Sequence, residues 1–554
     1  MAETTATGTA RPSAWAPFQY SAFTVLWIAT VLSNVGTWMH DVGAGWLMTE
    51  LSSSPLTVAG VQAATTLPIF LFALLAGAIA DIVDRRWLLL IVNLLVAAVA
   101  AGLALLVYLN LVTPLLLILF TFLLGTGAAF MAPAWQALVP ALVPRSDLSS
   151  AIALNSAGIN ISRAVGPALA GFLIVALGVW SPFALNALSF VGIIAALLWW
   201  RQPPKPQHRL PPEHVVPAII AGWRYVANSA PLRATLIRAA AFFAFASAYW
   251  AMLPLIAREL LSGGPTLYGL LLGAVGGGAV LGALLLPTIK RALGPDMTVA
   301  AGTLGTALVL AVFATVGNQM VAIAVSALAG MSWITVLSSF HVSAQTALPD
   351  WVRARGLSFF LTVFFGAMSA GSLIWGQVAS SASIVTSLLI AAAGAILMIP
   401  LTWRAKLNQG EQLDLAPSMH WPTPVISQDT AGDRGPVMIQ VIYKVPLENL
   451  DQFSALMTKL KTARRRGGGY GWTLMGSIEE TDLHVETWFE ASWNDHLRHH
   501  ERVSGEDQKL QDSIRGLLVE GTQPIVKHYL AGGEKGLAQQ KATPLELDNT
   551  RKMR

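Results

Sequence analysis

Two charged residues lie within stretches of this chain that are otherwise apolar. Asp41 is the only acidic residue between Arg11 and Glu50, and Arg163 lies among small and aliphatic residues. If these stretches span a membrane, each charge must face a partner or a water-filled cavity, because an ionised group in lipid is costly. We therefore predict that Asp41 exchanges protons and that Arg163 is its electrostatic partner or an anion contact. The alternatives are that Asp41 forms an interfacial cap with His40 and that Arg163 is a purely structural tie between helices.

Polar residues accompany Arg163 along its stretch. Ser156, Asn160, Arg163 and Pro167 follow one another at spacings of four, three and four residues. These spacings place them on one face of a helix, which is predicted to line a cavity. Pro167 directly follows Gly166, and we predict that it bends the helix and acts as a hinge.

The composition of the chain indicates a membrane protein. Of its 554 residues, 54% are hydrophobic and 12% are charged, and this charged fraction is about half that of a soluble domain. A membrane-spanning helix needs about 20 apolar residues. Windows without Asp, Glu, Lys or Arg are 51–80, 87–144, 164–200, 260–289, 297–349 and 356–403. The chain has no Cys, which excludes disulfides and thiolate metal sites.

Twelve membrane spans are predicted, so the fold class is an all-α membrane protein with an additional soluble domain. The spans are 18–48, 55–80, 87–109, 114–139, 149–178, 181–200, 232–257, 266–289, 297–316, 319–345, 355–380 and 383–403. Basic residues cluster in alternate loops, and the positive-inside rule then places both termini in the cytoplasm. The same rule accounts for the net charge of +5 without a nucleic-acid partner.

The loop between the second and third spans has the pattern G-x-x-x-D-x-x-x-R-R, formed by Gly77, Asp81, Arg85 and Arg86. The glycine and the two bases recur 205 residues later, but the acid does not. The same offset relates Gly125 to Gly330, Pro144 to Pro349, Gly166 to Gly371 and Gly171 to Gly376. This internal repeat predicts two six-helix halves with a substrate path between them.

Changes in composition divide the chain into seven segments. They are a cytoplasmic N-terminal tail (1–17), two six-helix halves (18–200 and 232–403), a cytoplasmic linker (201–231), a tether (404–436), a cytoplasmic soluble domain (437–531) and a disordered tail (532–554). The soluble domain has the predicted element order βαββαβ, which is that of a ferredoxin-like α+β fold.

The soluble domain carries a dense polar cluster around His496 and His500. Their spacing of four residues suits two metal ligands on a helix. The sequence offers no evident third ligand, so a solvated helix face is the preferred interpretation, and no metal site or cofactor is predicted. We predict a binding or dimerisation module rather than an enzyme.

With these motifs, the chain resembles the major facilitator superfamily, in its enterobactin-exporter-like branch of transmembrane secretion effectors. The resemblance rests on the 77–86 loop, on N-V-G-T-W-M-H-D-V-G-A-G-W-L-M from Asn34 to Met48, and on the stretch from Asn155 to Gly171. The soluble domain resembles the dimeric α+β fold of antibiotic-biosynthesis monooxygenases.

The resemblance implies a non-enzymatic exporter in the bacterial inner membrane. Its substrate would be a small amphiphilic molecule, siderophore-like or drug-like, moved by alternating access and proton antiport. The partners implied are this substrate, protons and the lipid bilayer. The chain has no Walker A pattern, in agreement with transport that does not use ATP.

The resemblance also assigns roles to individual residues. Asp81 is expected to bind the beginning of the eleventh helix near Arg355 and to favour the outward-open state. Arg85 and Arg86 are expected to contact carboxylates or lipid phosphates, or else only to set the topology. Asn34 is expected to join the cavity of Asp41.

Gly171 is expected to allow close packing of helices.

Two other functions remain open. The same fold suits an importer or facilitator of a small metabolite. Alternatively, the membrane part anchors an enzyme or sensor that acts through its soluble domain.

Overall fold

The structure, a computed structural model, describes residues 15–201, 215–407, 413–422 and 434–531. The predicted disordered tail and parts of the predicted N-terminal tail, linker and tether lie outside these residues. Eleven helices of the described residues are long and apolar enough to cross a membrane. The chain is therefore a multi-pass membrane protein.

The helices of the first half agree closely with the predicted spans. They are α1 (Ser21–Leu51), α2 (Pro55–Ile82), α3 (Arg85–Tyr108), α4 (Pro114–Leu138), α5 (Leu148–Leu177) and α6 (Ser181–Trp199). Several helices begin where the sequence provides a cap. For example, Asp84 accepts a hydrogen bond from the backbone N–H of Trp87 at the start of α3.

A short helix and the second half follow. These helices are α7 (Val215–Asn228), α8 (Ala230–Leu255), α9 (Pro265–Thr315), α10 (Gln319–Thr346), α11 (Arg353–Ser381) and α12 (Ile384–Leu401). Helix α9 has 51 residues, which is about 77 Å at 1.5 Å per residue and exceeds one membrane thickness. Its backbone is non-helical at Gly294, where φ is 72°. This break divides α9 into two spans and gives the twelve that the sequence predicts.

Glycines of the repeat make equivalent contacts within the two halves. A Cβ atom on Gly166 of α5 would lie 2.6 Å from the Cβ of Trp38 on α1. A Cβ atom on its repeat-mate, Gly371 of α11, would lie 2.5 Å from the carbonyl oxygen of Ala244 on α8. Since α8 is the first helix of the second half, both glycines let the fifth helix of a half pack closely on the first.

Two other repeat-mates join one half to the other. A Cβ atom on Gly171 of α5 would lie 2.7 Å from the carbonyl oxygen of Pro265 at the start of α9. A Cβ atom on Gly376 of α11 would lie 3.4 Å from the carbonyl oxygen of Pro55 at the start of α2. The two six-helix halves therefore meet through symmetric contacts, as in the major facilitator fold.

The soluble part contains one sheet with helices on it. Its elements are β1 (Val437–Lys444), α13 (Leu450–Gly467), β2 (Tyr470–Gly476), β3 (Leu483–Glu490), α14 (Trp493–Arg502), α15 (Gly505–Arg515) and β4 (Ile525–Leu530). The strands are antiparallel in the order β2-β3-β1-β4. The two short helices α14 and α15 together take the place of the second helix in βαββαβ, and this with the strand order confirms the ferredoxin-like fold. We refer to this part as the tail domain.

The core of the tail domain lies between the sheet and its helices. Alternate residues of β1 are buried, as the period of a strand requires. They pack with Phe453 and Met457 of α13 and with Trp488 of β3. The compact unit that holds this sheet also includes residues 220–230 and 348–352.

Candidate functional site

A cavity of about 300 Å³ lies between the two membrane halves. The first half contributes residues of α1, α2 and α5, and the second contributes residues of α8, α9, α10 and α11. The polar and aromatic residues of its wall are Trp38, Asp41, Gln62, Thr65, Thr66, Arg163, Trp250, Tyr268, Trp333, Phe364 and Phe365. Because both halves line it, relative movement of the halves would change its shape. We call it the central cavity.

Asp41 is the acidic residue of the central cavity. It also lines a second cavity, of about 340 Å³, which is enclosed by the first half alone. Among the described residues, none makes a hydrogen bond or ion pair with its carboxylate. Tyr268 lines the same cavity, and its hydroxyl would lie 2.7 Å from a Cβ atom on Gly45, one turn further along α1 than Asp41. Asp41 is thus a half-buried carboxylate on the wall of two cavities.

Arg163 lines the same cavity but forms no ion pair with Asp41 among the described residues. Its guanidinium lies over the ring of Trp38, with Cζ 5.5 Å from the ring centroid, in cation–π geometry. Its buried Nε has no hydrogen-bond partner among the described residues. The guanidinium is therefore available to an anionic or carbonyl oxygen of a molecule in the cavity.

Aromatic rings of the second half form the wall opposite these charges. Trp333 contacts Trp250 with a centroid separation of 5.2 Å, and Phe364 lies 4.4 Å from Phe365. The buried indole N–H of Trp250 has no acceptor among the described residues. A wall of aromatic faces next to one acid and one base suits a ligand that has planar apolar parts and a few polar groups.

The cavity of the first half contains polar residues of several helices. Asn34 lines it, as does Asn155, whose side-chain oxygen accepts a hydrogen bond from the Trp135 indole at 2.9 Å. His40 is buried beside Phe183, with ring centroids 5.0 Å apart. Neither of its ring nitrogens has a hydrogen-bond partner among the described residues.

The predicted polar face of α5 is only partly brought to these cavities. Arg163 lines the central cavity, whereas Ser156 and Asn160 are not among the residues that line either cavity. Both of their side chains donate to carbonyl oxygens one turn earlier on α5, at 3.0 and 2.9 Å. Asn155 occupies the cavity instead, because it lies about 100° around the helix from Ser156. Pro167 is buried, and its carbonyl oxygen faces Gly269 of α9.

The structure describes the backbone of the loop at 77–86, and the side chains of Ala78, Asp81 and Ile82 lie outside what it describes. A Cβ atom on Gly77 would lie 3.6 Å from the hydroxyl of Ser358, so the end of α2 contacts the first turns of α11. Arg86 donates to the carbonyl oxygens of Leu197 and Leu198 at 2.8 and 3.0 Å. These hydrogen bonds join α3 to the C-terminal end of α6 within the first half, where the helix dipole favours a cation beside the last carbonyls.

The tail domain contains a larger cavity, of about 560 Å³. Arg464 lies on its wall and forms a buried ion pair, in which its Nε donates to Glu486 Oε1 at 3.1 Å. The same carboxylate accepts hydrogen bonds from Tyr443 at 2.7 Å and from Trp472 at 2.8 Å. Burial and the adjacent Glu486 charge raise the pKa of Tyr443 well above its usual range, so its hydroxyl remains a donor. Arg464 also stacks on Trp488, 4.1 Å from the ring centroid.

Histidines line another part of this wall. The carboxylate of Glu490 accepts from His496 Nδ1 at 2.8 Å and from His499 Nδ1 at 2.6 Å. Although burial alone would raise the pKa of Glu490, His499 and His496 hold it well below its usual range. Burial, together with the neighbouring His496, lowers the pKa of His500 and of His528 to about 4.

The prediction of a solvated helix face around His496 is wrong. His496, His499 and Trp493 of α14 are buried, and His500 lines the cavity. Sequence reasoning also missed His528, since it lies on β4, about 30 residues from the others. It missed Trp250, Trp333 and Tyr268 as well, because aromatic residues within apolar spans carry no signal that separates a cavity wall from a lipid-facing surface.

The sequence profile of the family described as transmembrane secretion effector matches residues 12–535. The enterobactin exporter EntS of Citrobacter koseri is 26% identical over 343 residues, which are 61% of this chain and 80% of the relative. EntS of Escherichia coli O1:K1 / APEC has the same identity and coverage.

Solved transporter structures share the fold. The nucleoside transporter NupG aligns with a TM-score of 0.59 at 13% identity, over 70% of this chain and 100% of that protein. A POT family transporter aligns with a TM-score of 0.57 at 13% identity, over 69% of this chain and 95% of that protein. Likeness at such identities shows the fold alone, and it confirms the predicted major facilitator architecture.

Proposed function

Because this chain belongs to the transmembrane secretion effector family of membrane transporters, we propose that it exports a small amphiphilic molecule by alternating access with proton antiport. The molecule is siderophore-like or drug-like, and the membrane is the bacterial inner membrane with both chain termini in the cytoplasm. The observation that carries the proposal is the central cavity, which both halves line and which holds one acid and one base beside aromatic rings.

The cavity residues support specific roles in this cycle. Asp41 has no partner among the described residues, so it can release a proton when substrate enters and take one when substrate leaves. Arg163 meets polar or anionic atoms of the substrate, and the Trp250, Trp333, Phe364 and Phe365 rings pack against its planar parts. An unpaired charge in a membrane protein is kept at a cost in stability, which is expected only where it serves transport.

The name of the EntS relatives supplies a first test substrate, enterobactin. Purified protein is reconstituted into vesicles, and the accessible orientation is determined by protease cleavage of the tail domain. With the tail domain outside and the vesicle interior acidic, we expect enterobactin or an amphiphilic dye to accumulate, and a protonophore to abolish this accumulation. Accumulation only in vesicles of the opposite orientation would identify an importer instead.

Asp41→Asn tests the coupling role. The variant is expected to lose gradient-driven accumulation while it still exchanges labelled for unlabelled substrate, because exchange needs no net proton movement. Glu50→Gln is the matched control, since Glu50 lies on the same helix, is exposed and lines neither membrane cavity. It should transport as the natural protein does. Full gradient-driven transport by Asp41→Asn would contradict the coupling role but would leave the export proposal standing.

A further inference from the structure

Three histidines of the tail domain converge on the wall of its cavity. His496 and His500 lie one turn apart on α14, and His528 lies on β4. One ring nitrogen of each lies within 4.8 Å of the others. The Nε2 atoms of His496 and His500 are 3.1 Å apart. We propose that these three residues bind a divalent transition metal ion of the zinc class.

The spacing of the nitrogens fits such an ion. Zinc–nitrogen bonds of 2.0–2.1 Å in tetrahedral geometry place the ligand nitrogens about 3.4 Å apart. The pair on α14 already has nearly this separation. Since the three nitrogens lie within 4.8 Å of one another, a movement of about 1.4 Å or less brings the His528 nitrogen into the set. Its ring already packs on that of His496, with the centroids 4.7 Å apart.

Glu490 holds the ring of His496 in the orientation and protonation that a metal ligand needs. Its Oε2 accepts a hydrogen bond from His496 Nδ1 at 2.8 Å, so the proton of that ring is held on Nδ1 and the Nε2 lone pair faces the cluster. Glu490 Oε1 is occupied by His499 and by the Trp488 indole, at 2.6 and 2.9 Å. The carboxylate is therefore an orienting group and not a ligand. A carboxylate behind a ligating histidine is the usual support of a metal site.

The arrangement leaves the fourth metal position open toward the cavity. Because three imidazole ligands are neutral, they do not cancel the charge of the ion, and the open fourth position favours water, hydroxide or an anionic oxygen. Arg464 and Gln511 line the same cavity and can hydrogen-bond to such a ligand. Trp421 covers one side, with its ring centroid 4.8 Å from that of His500. The site thus has the three-ligand form of metal centres that bind an exchangeable ligand.

A metal-free alternative accounts for part of the geometry. A hydrogen bond from one Nε2 to the other would also bring His496 and His500 to 3.1 Å. In that case, His528 would only pack against the pair, and its replacement would not affect metal binding. His528 therefore distinguishes a metal site from a hydrogen-bonded pair.

The test uses the full-length protein in detergent, with any affinity tag removed and bound metal stripped by a chelator. It is equilibrated with Zn²⁺ or Co²⁺, and bound metal is measured by mass spectrometry and competition with a chromophoric chelator. We expect one ion per chain, and a Co²⁺ absorption spectrum typical of tetrahedral coordination by nitrogen and oxygen. His528→Gln should weaken the affinity at least tenfold. Glu490→Gln should weaken it about 10–100-fold.

His484→Gln is the matched control, because His484 belongs to the same domain but packs on Phe453 instead of the cluster. The His484→Gln protein should bind Zn²⁺ and Co²⁺ with the same affinity as the natural protein. Hydrogen exchange of peptides from 437–531 establishes that each variant keeps its fold. Absence of stoichiometric binding by the natural protein, or equal binding by folded His528→Gln, would overturn the proposal. Neither result bears on transport through the membrane halves.

Discussion

In the tail domain, Arg464 and Glu486 face each other, and Tyr443 and Trp472 use the remaining capacity of the carboxylate. In the central cavity, Asp41 and Arg163 share one space without forming an ion pair, and no described residue satisfies the buried Nε of Arg163. Each cavity is thus lined by a buried guanidinium, but only that of Arg464 in the tail domain is paired with a carboxylate.

We propose that this difference separates structural charges from functional ones. A buried charge that has all its partners is part of the framework, and removing one partner leaves the other buried and unpaired. A charge without partners is costly to the folded state and must be explained by what enters the cavity. The comparison therefore predicts that equivalent substitutions in the two cavities act on different properties, namely stability in the tail domain and transport in the membrane.

The largest stability effect is expected from Glu486→Gln. The substitution leaves the Arg464 guanidinium in the core without its counter-charge, which costs about 3–5 kcal/mol of unfolding free energy. Denaturant dependence of hydrogen exchange in peptides from 437–531 measures this loss in the full-length protein. Asp41→Asn should leave both this exchange and the melting temperature of the membrane part undiminished.

The matched control in the tail domain is Glu480→Gln. Glu480 pairs with Lys444 at 3.5 Å, but both side chains are about half exposed. An exposed pair contributes about 0.2–1 kcal/mol, so the control should change the exchange only slightly. If both glutamate variants lost equal stability, burial would not be what distinguishes the structural charges.

The sequence could reveal Asp41 and Arg163 because a charge stands out within an apolar span. It could not reveal Glu486 or His528, since the tail domain is polar throughout and its cavity gathers residues from distant elements. The helical spacing placed Ser156 on the same face as Arg163, but spacing alone does not show which residues of a face line a cavity. The structure brings Asn155 there instead.

The fold was more predictable than the sites. Charge-free windows and the 205-residue repeat specify spans and symmetry, because lipid requires long apolar helices whatever their function. The repeat also located close contacts, since Gly171 and Gly376 meet the opposite half at equivalent places. Only the structure showed that the two predicted spans of α9 are joined directly by a kink at Gly294.

A smaller effect is expected where the central cavity depends on contact between the halves. A Cβ atom on Gly276 of α9 would lie 2.8 Å from the Cα of Ala164 on α5, so Gly276→Ala must separate the two backbones. We expect a loss of about 1–3 kcal/mol, seen as a lower melting temperature in detergent and slower transport. Hydrogen exchange in the tail domain should not change.

The neighbouring glycine provides the control for that experiment. A Cβ atom on Gly277 would meet no atom within 4 Å. Gly277→Ala should keep or raise stability, because alanine is favoured over glycine in a helix by about 1 kcal/mol. Equal losses in the two variants would mean that this part of α9 tolerates no side chain at all, and that contact with α5 is not the cause.

The smallest effect is expected from Asp81, whose role rests on its position in the 77–86 loop. One turn before it, Gly77 contacts the first turns of α11 near Ser358. A carboxylate that binds the N-terminus of a helix contributes about 0.3–1 kcal/mol. Asp81→Asn should therefore shift the balance of the two access states by only about twofold to fivefold, toward the state in which this end of the bundle is open.

The natural absence of Cys makes this shift measurable. A single Ser358→Cys substitution places a thiol at the contact between α2 and α11. Its alkylation by a water-soluble maleimide should be about twofold to fivefold faster with Asp81→Asn. With Asp84→Asn it should not change, since Asp84 caps α3 within its own half. An unchanged rate with Asp81→Asn would contradict the conformational role of this loop. The difference between the two halves would then rest on the charges of the central cavity, Asp41 and Arg163, which both belong to the first half.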